Sequence, residues 1–161
     1  MRLASFWMRK TMHEESASQR ILIYAAICGA TGVAIGAIGS HFLPEHLARQ
    51  GLSPDLVAKR VGQFDIGARY QLIHAVALLA LSAMHIGKPV IRRWIGRLFL
   101  LGTAVFSGSL YAIAIANVSK FGLITPLGGL TWIIAWSGLL WIAFEGRSKE
   151  KRFHQIRGRT P

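Results

Sequence analysis

The sequence predicts an all-α membrane protein, a four-transmembrane-helix bundle with an interfacial amphipathic helix between spans one and two. Three observations carry this. The chain of 161 residues is 52% hydrophobic and only 16% charged, too apolar for an ordinary soluble domain. Its apolar residues gather in four runs, at about 21–43, 70–86, 94–117 and 122–144, each long enough to cross or nearly cross a bilayer core as a helix. Its basic residues fall on one side of those runs. Of the 19 Lys and Arg, fourteen precede the first run, lie between the second and third (counted to Arg97), or follow the fourth. The positive-inside bias then places both termini in the cytoplasm of a multi-pass bacterial inner-membrane protein, or in the matrix if the chain is mitochondrial. The formal net charge of +12 is accordingly read as contact with anionic headgroups and not with nucleic acid.

Taken in order, residues 1–20 form a basic cytoplasmic tail. Leu3, Phe6, Trp7 and Met8 beside Arg2, Arg9 and Lys10 suit a short helix lying in the headgroups. The membrane domain is 21–144. Span one carries small residues every fourth position, at Cys28, Gly32, Gly36 and Ser40, with Gly29 and Gly39 on the same side, a face that lets another backbone approach. Cys28 is alone, which excludes an internal disulfide and a cysteine metal site.

After a helical turn at 44–50 ended by Gly51, Ser53, Pro54 and Asp55 mark a helix start. Val57, Val61, Phe64 and Ala68 line its apolar face, opposite Lys59, Arg60 and Gln63. This lead-in runs without a break into span two, which from Tyr70 to Ile86 is about 25 Å long at about 1.5 Å per residue. Gln63, Gly67, Tyr70, Gln71 and His74 share one stripe of that helix. A polar stripe entering a membrane has to face protein or water, because lipid cannot satisfy its hydrogen bonds. Span three has a second small-residue row, Ala104, Gly108, Ala112 and Ala116, and Thr125 and Pro126 open span four. Trp94 and Trp141 near the inner edge, and Tyr111 nearer the outer one, read as interface aromatics. Residues 145–161 are a second basic cytoplasmic tail with no apolar period.

Four stretches, GAIGSH at 36–41, ARYQLIHAVALLAL at 68–81, FSGSLYAIA at 106–114 and ITPLGG at 124–129, resemble the YgdD-like inner-membrane proteins, the domain-of-unknown-function family 423, related to the transmembrane protein 256 group. The resemblance covers about 21–144. It implies a small four-span inner-membrane protein with no assigned biochemical activity, and marks Gly36, Gly39, His41, Tyr70, Gln71, His74, Ser107, Gly108, Ser109, Tyr111, Thr125, Pro126 and Gly128. Ser40 departs from the alanine frequent in the family before His41, and the basic tails are additions.

His41, Tyr70, Gln71, His74, Tyr111, Asn117 and Thr125 are thereby expected to meet as a polar cluster in the outer half of the bundle, while Gly32, Gly36, Ser40, Gly108 and Ala112 pack helices. An intramembrane histidine marks a functional site by default, and its structural counterpart is an interhelical hydrogen bond. No acidic residue lies inside a span, and no nucleophile with a base, phosphate loop or paired carboxylates is present, so neither an enzyme nor a resident cofactor or metal is expected. The reading is a structural or accessory subunit that packs with itself or in a larger membrane complex. The alternatives are a small-solute or proton transporter using the outer cluster and, third, a b-type haem carrier, for which only His41 with His74 qualify.

Overall fold

In the computed structural model the backbone is described over residues 2–157, and the side chains at 12 and 14–145. Four helices follow one another: α1 (Arg2–Arg49), α2 (Pro54–Ala83), α3 (Pro89–Ala116) and α4 (Thr125–Arg157), with a 3-10 turn Ser119–Leu123 before α4. Four segments are long and apolar enough to span a membrane, at Glu14–Arg49, Pro54–Ala83, Pro89–Ala116 and Ser119–Glu145, the last joining the 3-10 turn to α4.

The helix ends follow local chemistry. Ser53 is extended (φ −63°, ψ 151°) and Pro54 takes the first helical position, where its missing N–H costs nothing. The Ser53 side chain makes no capping bond; its carbonyl accepts from the Val57 N–H at 3.0 Å. Gly87 turns the chain into α3 at φ 80°, and Asn117, left-handed at φ 52°, ends α3.

Three segments are more helical than expected. Pro44 is absorbed into α1, which has no break before Arg49. The N-terminal tail continues α1 as backbone helix, and α4 likewise continues to Arg157 where a trailing tail was expected. The side chains of Leu3, Phe6, Trp7 and Met8, on which the headgroup reading rests, lie outside the described residues. The amphipathic lead-in is the first half of α2, and its apolar face meets protein: Phe64 is buried and packs with Leu43, Leu47 and Ala114, and Ala68 is buried opposite Gly36.

Small residues set the register. Cβ atoms at Gly29, Gly32, Gly36 and Gly39 of α1 would meet Ala75, Leu72, Ala68 and Phe64 of α2 in turn, an antiparallel ladder along which each step on one helix matches a step back on the other. The expected row on α1 is therefore a face toward α2, with one change: Ser40 is exposed and bonds back to the Ala37 carbonyl at 3.1 Å, and Gly39 holds the contact. The row on α3 is different. Nothing lies within 4 Å of a Cβ at Gly108, Ala104 and Ala116 are exposed and Ala112 is half-buried, so Gly108 does not pack within the chain. α1, α2 and α3 pack mutually and α4 lies along α3. Ile21, Leu78, Leu81, Ile95, Phe99, Trp132 and Ile142 fill the core, while Ile27, Val33, Val76, Leu130 and Ile133 remain exposed as a lipid face.

This arrangement puts the N-terminal end, the α2–α3 turn and the C-terminal end on one side. The Lys and Arg bias gives that side as the expected cytoplasmic one. Expressed in intact bacteria, a Ser53→Cys variant is expected to react with an impermeant thiol reagent from outside and a Ser148→Cys variant only after lysis; the reverse pattern inverts the orientation.

Candidate functional site

The ladder between α1 and α2 fixes the depth of every polar group. Gly29 and Gly32 lie beside Ala75 and Leu72, so Gln71 and His74 sit near the middle of span one, not one turn below its outer end. The sequence reading began span two at Tyr70, after the charges of Asp65 and Arg69. Those charges are exposed and pair with each other at 2.6 Å on the flank of α2, so the helix lies against α1 well before them. His41, by contrast, lies beyond Gly39, near the level of Gln63. The two histidines are about eleven residues apart along the bundle axis, or about 16 Å. His41 is exposed and joins no cluster, and the pair cannot share a haem iron.

The remaining candidates form separate groups. At the centre, Gln71 donates from Nε2 to the Cys28 carbonyl (2.9 Å) and to Thr31 Oγ1 (2.8 Å), and its Oε1 accepts from the Tyr111 hydroxyl (2.9 Å). One buried amide thus ties α2 to α1 and α3. Small residues make room for it: a Cβ at Gly67 would stand 2.8 Å from Tyr111 Cε1, and one at Gly32 would stand 2.9 Å from Leu72 Cδ2. Tyr111 is therefore turned into the bundle, against Phe64 at 4.8 Å between ring centroids, and is not an interface aromatic. Trp94 and Trp141, 58% and 68% exposed, do stand on the outside as expected.

One turn deeper, His74 is 3% exposed. Its Nδ1 lies 2.8 Å from the Tyr70 carbonyl, and because a carbonyl only accepts, Nδ1 carries a proton and donates it. The imidazole lies flat on Trp132, with centroids 3.7 Å apart and planes at 5°, and Phe99 is 5.7 Å away. Tyr70, partly exposed, stacks on the same indole at 5.7 Å. Trp132 donates Nε1–H to the Phe99 carbonyl at 3.2 Å, and a Cβ at Gly102 would stand 2.5 Å from its Cδ1.

At the outer end Asn117 accepts from Arg60 Nε (2.8 Å), while Arg60 Nη1 and Nη2 donate to Gln63 (2.9 Å) and Ser119 (3.0 Å). Sequence reasoning put Arg60 on a solvated face. It is buried, and clamps the left-handed end of α3 and the turn that follows it to α2. Thr125, at the start of α4, shares a 2.7 Å bond with Ser109 of α3. Ser107 Oγ is buried without a partner.

Chemically, these groups hold helices in register. Among the described residues no three His, Cys, Asp or Glu side chains converge as metal ligands. The inner groove of about 450 Å³ between α1 and α2, lined in part by Glu14, Glu15, Ser82 and His85, is remote from the polar layer.

Comparison with known proteins agrees with this architecture. A family model described as protein of unknown function (DUF423) matches residues 35–129, a range that holds every candidate polar residue and omits both tails. The UPF0382 inner membrane protein YgdD of Escherichia coli (strain K12) is 35% identical over 124 residues, 76% of this chain and 88% of that one. A UPF0382 membrane protein of Haemophilus influenzae is 33% identical over 129 residues, 80% and 97% of the two chains. Another, from Staphylococcus haemolyticus, is 32% identical over 124 residues, 77% and 94%. No solved structure matches the chain.

Proposed function

The chain belongs to the DUF423 family of integral membrane proteins, and from that membership and the chemistry of its core we propose that it is a non-enzymatic packing subunit of the bacterial inner membrane, associating with a second copy of itself or with a larger membrane complex. The observation that carries the reading is the Gln71 amide. Both its N–H groups are spent on Cys28 and Thr31 and its oxygen accepts from Tyr111, so this buried amide at mid-span joins three helices and has no free donor for a solute. In lipid such bonds and close small-residue contacts replace the hydrophobic effect as the source of helix association. The row Ala104, Gly108 and Ala112 of α3, with Ala104 exposed, nothing within 4 Å of a Cβ at Gly108 and Ala112 half-buried, is the face on which a partner helix would approach most closely.

Site-specific photocrosslinking in native membranes tests this. A photoreactive side chain at Ala104 or Ala112 is expected to give one protein adduct of defined mass, and the same group at Leu130 on the lipid face of α4 to give lipid adducts. Lipid adducts alone at all three positions contradict the proposal.

A further inference from the structure

Arg92 was counted among the basic residues of an inner loop, but it stands in the first turns of α3 with its whole residue 0% exposed. On the helical period of α3 it shares the core-facing stripe of Ile95, Phe99, Thr103 and Leu110, all buried. Gly96, one turn along, meets Ile21 of α1, and by the same register Arg92 falls opposite Ala17, also 0% exposed, whose small side chain leaves room. Nε, Nη1 and Nη2 are all buried, and none has a hydrogen-bond partner among the described residues. No described carboxylate stands within 4.0 Å of it; the ion pairs Arg49–Glu45 and Arg69–Asp65 are elsewhere.

Such a group calls for an anion. Arg does not deprotonate in proteins, so it cannot escape the cost of burial by becoming neutral. On its own helix its neighbours add positive potential, while the nearest carboxylates of α1, Glu14 and Glu15, line the inner groove with Ser82 and His85 and make no ion pair with it. The first turn of α3 contains no acidic residue and follows Lys88, which makes no side-chain cap bond, and Arg93 is adjacent. Cations at a helix N-terminus oppose the helix dipole, whereas an anion there is stabilised by it. A guanidinium side chain on α3 leans toward that same N-terminus, because helical Cα–Cβ bonds tilt that way. The depth is also suitable: Trp94, two residues on, and Trp141, beside Ile142 that touches Gly87, are exposed as interface aromatics and mark the level of the inner headgroups.

We propose that the Arg92 guanidinium forms a phosphate-binding site at the inner mouth of the bundle, suited to a lipid phosphate or to free inorganic phosphate. The first turn of α3 contributes its dipole and not its donors, since Pro89 has no N–H and the Ile91 and Arg92 N–H groups bond the Lys88 carbonyl at 3.0 and 3.2 Å. Fork-shaped donors match phosphate oxygens two at a time, which distinguishes this site from diffuse attraction between the basic tails and a charged surface.

The test is thermal unfolding of the purified full-length protein in an uncharged detergent and phosphate-free buffer. One arm adds inorganic phosphate against chloride at equal ionic strength, and the other adds phosphatidylglycerol against diacylglycerol. Wild type and Arg97→Gln, an exposed neighbour, are expected to gain roughly 3 to 6 °C when the anion is about tenfold above its dissociation constant. Arg92→Met should gain nothing, and without anion should melt no lower than wild type, since it removes a buried unpaired charge. A gain with phosphatidylglycerol alone assigns the site to a lipid headgroup, and a gain with both assigns it to phosphate itself. No gain in wild type in either arm, or an equal gain in Arg92→Met, overturns the site. Should Arg92→Met not fold, Arg92→Gln replaces it, and the wild-type arms remain decisive.

Discussion

A Gly128→Val variant is expected to lose its compact fold in detergent well below the melting temperature of the parent. A Cβ at Gly128 would collide with the Phe106 amide nitrogen and stand 2.8 Å from Phe106 Cα and 2.7 Å from its Cβ. The obstacle is backbone inside a helix, which cannot swing aside as a side-chain tip can. α4 would have to move off α3, taking with it the Ser109–Thr125 bond at 2.7 Å and the seat of Trp132. Overpacking that side chains can absorb costs about 1 to 3 kcal/mol. Here the cost lies at or above the top of that range, a fall of roughly 6 to 12 °C for a chain of this size. Gly108→Val, with nothing within 4 Å, should melt like the parent, and Gly36→Ala, whose new Cβ would meet Ala68 Cβ at 3.8 Å, should be tolerated. A Gly128→Val protein as heat-resistant as Gly108→Val would mean that α3 and α4 do not meet at this contact.

That contrast shows what the sequence disclosed. Spacing identified two small-residue rows, and one of them, on α1, is the seam with α2. It could not tell that the tightest approach lies at Gly128, because the closeness of two backbones depends on where helices cross. The polar stripe of α2 was legible from its period, and Gly67, Gln71 and His74 are buried as that period requires, although Tyr70 is partly exposed. Its depth was not. Hydropathy starts a span where charges stop, and Asp65 and Arg69, paired on the outer flank, hid the fact that α2 already lies against α1 at Phe64. The same bias concealed Arg60 and Arg92. An arginine counts as solvated in any composition-based reading, and only the packed bundle separates one held by Asn117, Gln63 and Ser119 from one with no partner among the described residues. The expected cluster is therefore several groups at different depths, and His41 belongs to none of them.

Trp132 is the second position where a large effect is expected, and it bears on what His74 is for. The indole is 4% exposed, stacks on His74 at 3.7 Å, touches Phe106 at 4.7 Å and donates to the Phe99 carbonyl. Truncation of a buried aromatic costs 3 to 5 kcal/mol in soluble proteins, and in lipid the packing share of that loss persists while the transfer from water does not, so Trp132→Ala should cost about 3 kcal/mol. Trp132→Phe keeps a ring on His74 and loses only a bond whose acceptor Thr103 also serves at 2.9 Å, so it should cost about 1 kcal/mol. The coupling is the sharper measurement. If the imidazole is held as a structural plate, His74→Leu and Trp132→Ala combined should destabilise by less than the sum of the two, with a shortfall of about 0.5 to 1.5 kcal/mol. His74→Gln, which keeps a donor for the Tyr70 carbonyl, should then fold and support whatever growth phenotype the deletion strain reveals. Additive losses would show that the two rings do not depend on each other. A stable His74→Gln protein that fails to complement would show that the imidazole itself acts, through the ring nitrogen Nε2 that the Tyr70 bond leaves over, and would replace the packing role with a transport role for the polar layer.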